Sequence, residues 1–370
     1  MKNATLALTT FLAASSAMAA PQFWNLGAGI EATGISDTGV VVGTDPNSNQ
    51  YFMWSASGGM QWIGGVDAND GYGGIATISN DGSKVGGTNI NGDTGLGEAA
   101  VYDVGSGTWT SLGGIGGSMD NSTSSGWGIS GDGSTLVGLG WQSDGQARAI
   151  RWSQGSGMVN MGSTSPGQAS RANATNNNGS VIVGWQDNDN GRQGAVWVNG
   201  TQRLLSDSNG VAVSEALAIS GDGQWVTGVA YGTLSTYRYN TVTEVLEYLP
   251  VVAGDFWFPS AFGTAISDDG STIIGQVRDF GPPFGAPGII WRDGFGAMTL
   301  NAYFDSMGVV YEDGFLFSIG LAMSGDGQTL SGIGISPTEG LVGWVVTVPT
   351  PGATVLLGFC GLFGSARRRR

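Results

Sequence analysis

Histidine is absent from the 370-residue sequence, and cysteine occurs once, as Cys360. Without histidine the chain cannot contain a Ser-His-Asp or Cys-His catalytic group, nor a histidine metal site. A single cysteine cannot form an intramolecular disulfide, so the fold must be stabilised by packing. Together these two absences exclude more chemistry than any motif in the sequence suggests.

Basic residues are scarce, with 14 Lys and Arg against 29 Asp and Glu, a formal net charge of −15. Five of the basic residues lie at the chain ends, as Lys2 and Arg367 to Arg370. The rest of the chain is therefore more acidic still. Because such a surface repels phosphate backbones, no nucleic-acid partner is expected.

Long hydrophobic runs are missing, since no apolar stretch reaches the roughly 20 residues of a membrane-spanning helix. Lys2, an apolar stretch from Leu6 to Ala14 and small residues at Ala17 to Ala20 predict a secretory signal peptide over 1–20. At the other end a proline-containing segment precedes a short apolar run and an arginine block. The sequence thus predicts a signal peptide at 1–20, a domain at 21–348 and a tail at 349–370.

The tail resembles the PEP-CTERM sorting signal, in which an exosortase recognises a proline motif, a hydrophobic segment and a basic cluster. Thr350 stands where that motif usually has an acidic residue. The resemblance implies export to the cell surface or extracellular matrix of a Gram-negative-type bacterium, transient membrane anchoring, and an exosortase-like enzyme as partner. A simple C-terminal membrane anchor is the alternative. The matching residues are Val348, Pro349, Pro351, Gly352, Arg367, Arg368, Arg369 and Arg370.

Glycine, by contrast, is abundant, with 67 residues. Trp127 to Gly138 has the pattern of a β-hairpin, because Asp132 and Gly133 suit the positive φ angles of a tight turn. This pattern occurs seven times in all, and successive turn glycines lie 43 to 57 residues apart. Strand-rich repeats of about 40–50 residues are typical of propeller blades. The turn glycines are Gly39, Gly82, Gly133, Gly179, Gly223, Gly270 and Gly327.

Each repeat continues with an aromatic-containing strand and a fourth strand, except the last, which lacks the fourth. Gln22 to Gly27 has the missing pattern at the N-terminus. The sequence therefore predicts an all-β, seven-bladed β-propeller with four antiparallel strands per blade, closed by the N-terminal strand. The repeated aromatics are expected to pack between blades: Trp54, Tyr102, Trp152, Trp197, Tyr239, Trp291 and Trp344.

The repeated Ile-Ser-x-x-Gly-x-x-Val-x-Gly pattern resembles the HAF extracellular repeat family. Ile35-Ser36, Val42-Gly43 and the strand from Ala149 to Trp152 carry the resemblance. Arg148-Ala149-Ile150 stands where the family has its His-Ala-Phe stretch. The resemblance implies secretion and repetition, and it brings no catalytic residues with it.

Three long connections are rich in aromatic and acidic residues, and strand direction predicts that they share one face with the other long connections. Aromatic rings beside carboxylates suit sugar rings and their hydroxyls, so this face is predicted to bind carbohydrate. The alternative is that the connections pack over one another as a local apolar plug. The candidate residues are Asp255, Trp257, Phe258, Asp279, Phe280, Tyr303, Asp305, Tyr311 and Glu312.

Two functional hypotheses follow. The first is a non-enzymatic interaction or structural module that binds an extracellular polysaccharide or a surface protein. The second is a carbohydrate-active enzyme that uses a pair of the long-connection carboxylates. No cofactor is expected, although Asp187 and Asp189 alternate as calcium ligands do. Val198 stands at the place of the usual late glutamate, and a structural loop is the favoured interpretation.

Overall fold

The computed structural model describes residues 20–66, 73–119, 121–230, 235–250, 252, 260–278 and 285–348. These residues form an all-β structure with one short helix. The first strands are β1 (Gln22–Ala28), β2 (Glu31–Ile35), β3 (Val41–Asp45), β4 (Gln50–Ser55), β5 (Gly59–Gly64), β6 (Thr77–Ile78), β7 (Lys84–Ile90), β8 (Gly97–Asp103) and β9 (Thr108–Ser111). They are followed by β10 (Ser124–Ile129), β11 (Thr135–Trp141), β12 (Ala147–Ser153), β13 (Gly157–Asn160), β14 (Ser170–Thr175), β15 (Val181–Asn188), β16 (Gly191–Val198) and β17 (Thr201–Leu204).

The remaining strands are β18 (Glu215–Ile219), β19 (Trp225–Val229), β20 (Tyr237–Asn240), β21 (Leu246–Tyr248), β22 (Ser260–Ile266), β23 (Thr272–Arg278), β24 (Gly288–Arg292) and β25 (Gly296–Thr299). The helix α1 (Leu300–Ser306) precedes β26 (Leu316–Met323), β27 (Thr329–Ser336) and β28 (Gly340–Thr347). No helix among the described residues is both long and apolar enough to span a membrane.

The strands form antiparallel sheets of four that follow chain order. β2–β5, β6–β9, β10–β13 and β14–β17 are separate sheets, whereas β18–β21 and β22–β25 are two halves joined by the single pair Val229–Phe262. β26, β27 and β28 are completed by β1, with Gln22 opposite Thr347. The first and last described strands therefore lie side by side, as the pattern of Gln22 to Gly27 predicts.

A serine hydroxyl stabilises the turn after the first strand of most sheets. In the β10–β11 turn, Ser130 Oγ donates to Asp132 Oδ1 at 2.6 Å and accepts the Thr135 N–H at 3.0 Å. Gly133 has a φ of 69°, which glycine adopts without strain. The recurring Ser-x-Asp-Gly pattern is thus a turn signal. The same pair of bonds is made by Ser79, Ser220, Ser267 and Ser324.

A bulge in the first strand explains the repeated second-strand glycine. In β10 the register shifts between Gly126 and Gly128, so Trp127 is an extra residue. A Cβ on Gly138 would lie 2.0 Å from the Ser125 carbonyl oxygen, so no other residue fits there. At the equivalent glycines an added Cβ would lie 1.7 to 2.0 Å from such an oxygen: Gly43, Gly184, Gly228, Gly275 and Gly332.

The hydrophobic core is divided into layers between neighbouring sheets. Val137 and Ala149 of the β10–β13 sheet, for example, pack against Ile182 and Trp197 of the next sheet. The repeated aromatics Trp54, Trp197, Tyr239 and Trp291 are buried, as expected. Trp344 does not occupy the position of the other repeated aromatics. Trp152 pairs with Leu136, and the corresponding pair in the last sheet is Val346 with Leu330, so Trp344 lies two residues earlier on its strand.

Candidate functional site

A central cavity of about 230 Å³ is enclosed by the first strands of the sheets. These strands contact one another in succession, from β2 through β6, β10, β14, β18 and β22 to β26, which in turn contacts β2. The turns that follow them define one side of the sheets, here called the Asp-Gly face. The described residues of the connections between sheets, and of those from the second to the third strand of each sheet, lie on the opposite side, the long-loop face.

A continuous series of hydrogen bonds links the turns on the Asp-Gly face. Asp37 N donates to Asn80 O at 2.9 Å, and Gly325 N, from the turn after β26, donates back to Asp37 Oδ1 at 3.2 Å. The series therefore returns to the turn where it began. The intervening bonds are Asn80 N to Gly131 O, Asp132 N to Asn177 O, Asn177 N to Gly221 O, Gly221 N to Asp268 Oδ1 and Asp268 N to Gly325 O.

Polar side chains narrow the cavity at this face. Asn80 Nδ2 donates to Asn177 Oδ1 at 3.3 Å, and a Cβ on Gly131 would lie 2.3 Å from that oxygen. Burial raises the pKa of Asp268, and the nearby charge of Asp37 raises it further. The arrangement links the turns mechanically, while the glycines leave room for the larger side chains.

At the long-loop end, arginines and tryptophans form a stacked cluster that the sequence analysis missed. The Arg171 guanidinium lies 3.7 Å from the Trp127 ring centre, and Arg192 lies 3.6 Å from that of Trp185. Glu215 Oε1 joins the two arginines, at 3.4 Å from Arg171 and 3.3 Å from Arg192. Trp127 is the bulged residue of β10, and Arg171 lies near the start of β14 in the next sheet. An arginine at that place in the next repeat is the only sequence signal for this contact.

The cluster is electrically balanced and only partly accessible. Burial lowers the pKa of Arg171 to about 10, although the Glu215 carboxylate opposes that shift. Arg192 is exposed and also contacts Asp187 at 3.2 Å. Trp185 is buried, and its Nε1 has no hydrogen-bond partner among the described residues. The Arg192 guanidinium is therefore the part of the cluster that a ligand could reach.

The predicted calcium residues lie in the hairpin between β15 and β16. Asn188 pairs with Gly191, so Asp189 and Asn190 form a tight turn. The Asp187 carboxylate contacts Arg192, and Asp189 Oδ1 accepts a weak 3.5 Å hydrogen bond from Gln168. The described residues contain no group of three or more His, Cys, Asp or Glu side chains that could hold a metal ion. Calcium binding at Asp187 and Asp189 stays a prediction.

Four predicted ligand-binding residues belong to a cluster around α1. Tyr303 is buried, and its hydroxyl accepts a hydrogen bond from Arg292 at 3.1 Å. Tyr311 donates to Asp305 Oδ1 at 2.5 Å, and its ring packs against Phe317. Glu312 accepts hydrogen bonds from Ser336 and Thr338. These contacts describe how the four residues are held in the fold, and their ligand-binding role stays a prediction.

The other predicted ligand-binding residues lie outside the described residues. They are Asp255, Trp257, Phe258, Asp279 and Phe280. The sorting-signal residues Pro349, Pro351, Gly352 and Arg367 to Arg370 lie outside them too. Val348 is described, and its N–H donates to Gln328 O in the last turn of the Asp-Gly face.

Comparison with known proteins supports a β-propeller fold and does not identify a function. No family model matches the sequence, and no curated protein matches it. The β-propeller domain of the trilobed protease from Pyrococcus furiosus is 12% identical with a TM-score of 0.55, covering 86% of this chain and 95% of that one. Streptogramin B lyase is 11% identical with a TM-score of 0.54, covering 89% and 97%.

An acylaminoacyl peptidase from Pyrococcus horikoshii is 11% identical with a TM-score of 0.53, over 90% of this chain and 55% of the peptidase. The chain thus spans little more than half of that peptidase, and it spans 62% of a TolB chain from Acinetobacter baumannii that it also matches. At these identities the likeness indicates a β-propeller fold and leaves the activity open.

Proposed function

We propose that the protein is an exported, seven-bladed β-propeller that acts as a non-enzymatic interaction module on the cell surface or in the extracellular matrix. Each blade is one four-stranded group, and the N-terminal strand β1 closes the ring by completing the last blade. The hydrogen-bond series that starts and ends at Asp37 supports this count, because it passes once through each Asp-Gly turn. We also propose that the chain is a HAF-type repeat protein with a PEP-CTERM-like sorting tail.

The observation that carries the proposal is where the two ends of the domain meet. Gln22 lies opposite Thr347, and Val348 hydrogen-bonds Gln328 on the Asp-Gly face. A tail that leaves from Val348 and is held by a membrane or a processing enzyme would therefore hold that face inward. The long-loop face would then be free to meet an external partner, and loops on a rigid scaffold are where binding concentrates.

The contacts of the described carboxylates support a binding role over a catalytic one. Asp305 and Glu312 are each held by hydroxyl donors, whereas a glycosidase needs two carboxyl groups that face a shared substrate. The exposed Arg192 guanidinium stacked on Trp185 offers a charged, planar contact for a partner. An extracellular polysaccharide or a surface protein is the partner class we propose.

The proposal can be tested in two steps. The full chain and a form ending at Val348 would be expressed in a Gram-negative-type host that carries an exosortase, and the cells fractionated. We expect the full chain at the surface or in the matrix and the shortened form released. Equal distribution of the two forms would contradict tail-dependent sorting.

The second step tests whether the protein is an enzyme. The purified protein would be incubated with a polysaccharide array, scoring both retention and release of reducing ends. We expect retention without release. Release that is abolished by Asp305→Asn or Glu312→Gln would overturn the non-enzymatic proposal in favour of a carbohydrate-active enzyme.

A further inference from the structure

Two arginines occupy the same position in different sheets. Arg151 of β12 pairs with Val159 of β13, and Arg238 of β20 pairs with Glu247 of β21. Each is followed by the repeated aromatic residue, Trp152 or Tyr239. Each lines a groove between its own sheet and two turns of the next one, the turn after its first strand and the turn after its third strand. The chain thus contains two versions of one groove, which can be compared directly.

In the second groove the protein supplies the partners of the arginine. Arg238 Nη1 lies 3.1 and 3.0 Å from the two carboxylate oxygens of Asp293, and its Nε donates to Glu247 at 2.7 Å. Arg238 Nη1 also donates to the Gly270 carbonyl at 2.9 Å. This guanidinium is therefore held by two carboxylates and a backbone oxygen.

In the first groove both carboxylates are missing. Val159 stands opposite Arg151 where Glu247 stands opposite Arg238. Asn199, whose N–H donates to Ser180 O, replaces Asp293, whose N–H donates to Ser271 O. The Arg151 Nε is buried without a hydrogen-bond partner, and no described residue forms an ion pair with Arg151.

Arg151 is the one basic residue with a described side chain that has neither an ion pair nor a hydrogen bond, although acidic residues outnumber basic ones by 29 to 14. Arg148 and Arg292 also lack an ion pair, but they donate to Ala147 O and to the Tyr303 hydroxyl. A buried donor without an acceptor lowers stability, so a ligand that supplies an acceptor to the Arg151 guanidinium would remove that cost. The groove in front of Arg151 encloses about 460 Å³, within the roughly 300–1,000 Å³ usual for small-ligand sites. Arg238 shows which ligand group fits an arginine in this place, namely a carboxylate.

We propose that the Arg151 groove binds a uronic acid residue of an acidic glycan. The arginine would pair with the sugar carboxylate in the way that Arg238 pairs with Asp293. The amide and hydroxyl groups of Asn160, Asn178 and Ser180 line the groove and suit sugar hydroxyls, while Val159 and Met161 offer an apolar surface to the ring. The glycan class rests on the proposed extracellular function, whereas the anion site rests on the groove alone.

This site lies at the Asp-Gly edge of the ring, between the Asn178–Ser180 turn and the Asn199–Gly200 turn. It is therefore distinct from the long connections that the sequence analysis selected. The sequence indicates this site only once the sheets are aligned by their strand pairing. The alignment then shows that Arg238 has acidic partners and that Arg151, at the same position, lacks them.

Titration of the full chain with trigalacturonate, followed by calorimetry, tests the proposal. We expect Arg151→Gln to weaken binding by about tenfold or more, since charge-assisted hydrogen bonds are lost. The double variant Val159→Glu with Asn199→Asp copies the partners of Arg238, so we expect it to abolish binding while Arg151 is retained. Arg203→Gln removes an exposed charge outside the groove and should bind as the parent does.

Two further ligands identify the chemistry. The methyl ester of trigalacturonate keeps the sugar and removes the charge, and we expect it to bind at least about tenfold more weakly than the free acid. Triglutamate keeps the carboxylates without the sugar and should also bind more weakly. Binding of triglutamate as strong as that of the sugar would overturn the glycan assignment in favour of an acidic peptide.

The proposal is overturned if trigalacturonate does not bind, if Arg151→Gln binds it unchanged, or if the ester binds as well as the acid. None of these results affects the export or the non-enzymatic role, which are tested by fractionation and reducing-end release. Because Arg151 has no partner among the described residues, Arg151→Gln should unfold at the same temperature as the parent or higher. This separates loss of binding from loss of folding.

Discussion

At the scale of the residue, each serine of the Asp-Gly turns performs two tasks with one hydroxyl. Ser130 is completely buried, donates to Asp132, and accepts the first N–H of the next strand. An alanine there would leave the Thr135 N–H without an acceptor and would remove one of the donors to the Asp132 carboxylate, which keeps the Ser134 N–H. The serine is therefore a structural requirement of the turn.

Ser130→Ala should accordingly lower the free energy of unfolding by about 1–3 kcal/mol, the cost of leaving buried hydrogen-bonding groups unpaired. Chemical denaturation at neutral pH measures this. Ser156→Ala is the control, because Ser156 is exposed in the β12–β13 turn, and surface changes usually stay within about 0.5 kcal/mol. Equal stabilities of the two variants would show that the hydroxyl contributes nothing.

Two aspartates at the Asp-Gly face, Asp268 and Asp132, are expected to change the stability of the fold with pH in opposite directions. Burial raises the pKa of Asp268, so its ionised form costs stability at neutral pH, and that cost disappears as the pH falls and the carboxyl is protonated. Asp268→Asn should thus melt at a higher temperature than the parent at pH 7, with the difference fading in acid. The amide oxygen can still accept the Gly221 N–H.

Asp132 provides the matched comparison. Burial opposes ionisation there, but the hydrogen bonds from Ser130 and Ser134 prevail and lower its pKa. Its ionised form therefore stabilises the fold above the unfolded-state pKa, and that contribution is lost as the pH falls. Asp132→Asn should melt at a lower temperature than the parent at pH 7. Melting curves of both variants across pH 3 to 8 test the pair of predictions, and a change of melting temperature in the same direction for both variants would contradict them.

At the scale of the element, the repeat determines which strands form, and much of this could be predicted. The recurring Asp-Gly turns identify the hairpins, and the incomplete last repeat identifies β1. The bulge opposite each second-strand glycine could not be predicted, because a glycine in a strand has several possible causes. The two-residue displacement of Trp344 could not be predicted either. The spacing between repeats varies by more than two residues, so a displaced tryptophan looks equivalent to the others in the sequence.

The candidate site was less predictable than the strands. Tyr303 and Tyr311 were selected for their residue type, but their packing depends on α1, whose seven residues give no clear helical period. The Arg171–Trp127 contact joins two different sheets, and Arg151 is unusual only beside Arg238. Such features are visible once strand register aligns the sheets.

The pairing of β1 with β28 gives a prediction about the whole last sheet. Deleting residues 20–27 should expose the edge of β28 and remove the contacts of Phe23 with Phe315 and Phe317. We expect a cooperative loss of stability, because each sheet packs against two neighbours. Differential scanning calorimetry measures it, and a chain that begins at Ala20 is the control; identical melting of the two would show that β1 is not the closing strand.

At the scale of the whole molecule, the proposed ring closure and the proposed export depend on the same feature, the position of the two ends of the domain. Both ends of the described chain emerge on the Asp-Gly face, so any tether through the tail fixes which face is turned outward. The Arg192–Trp185 stack then lies on the far side, whereas the Arg151 groove lies at the edge nearer the tether. An acidic glycan in that groove would contact the protein close to the surface that holds it.

Cysteine labelling can determine this orientation, because the sequence has one cysteine to remove. In a Cys360→Ser background, Ser143→Cys places a thiol on the long-loop face and Ser156→Cys places one on the Asp-Gly face of the same sheet. Both serines are exposed, and no described contact involves either side chain. On intact cells we expect a bulky maleimide to modify position 143 faster, since the tether shields the opposite face. After detergent release the two rates should become equal, and faster modification of position 156 on intact cells would reverse the proposed orientation.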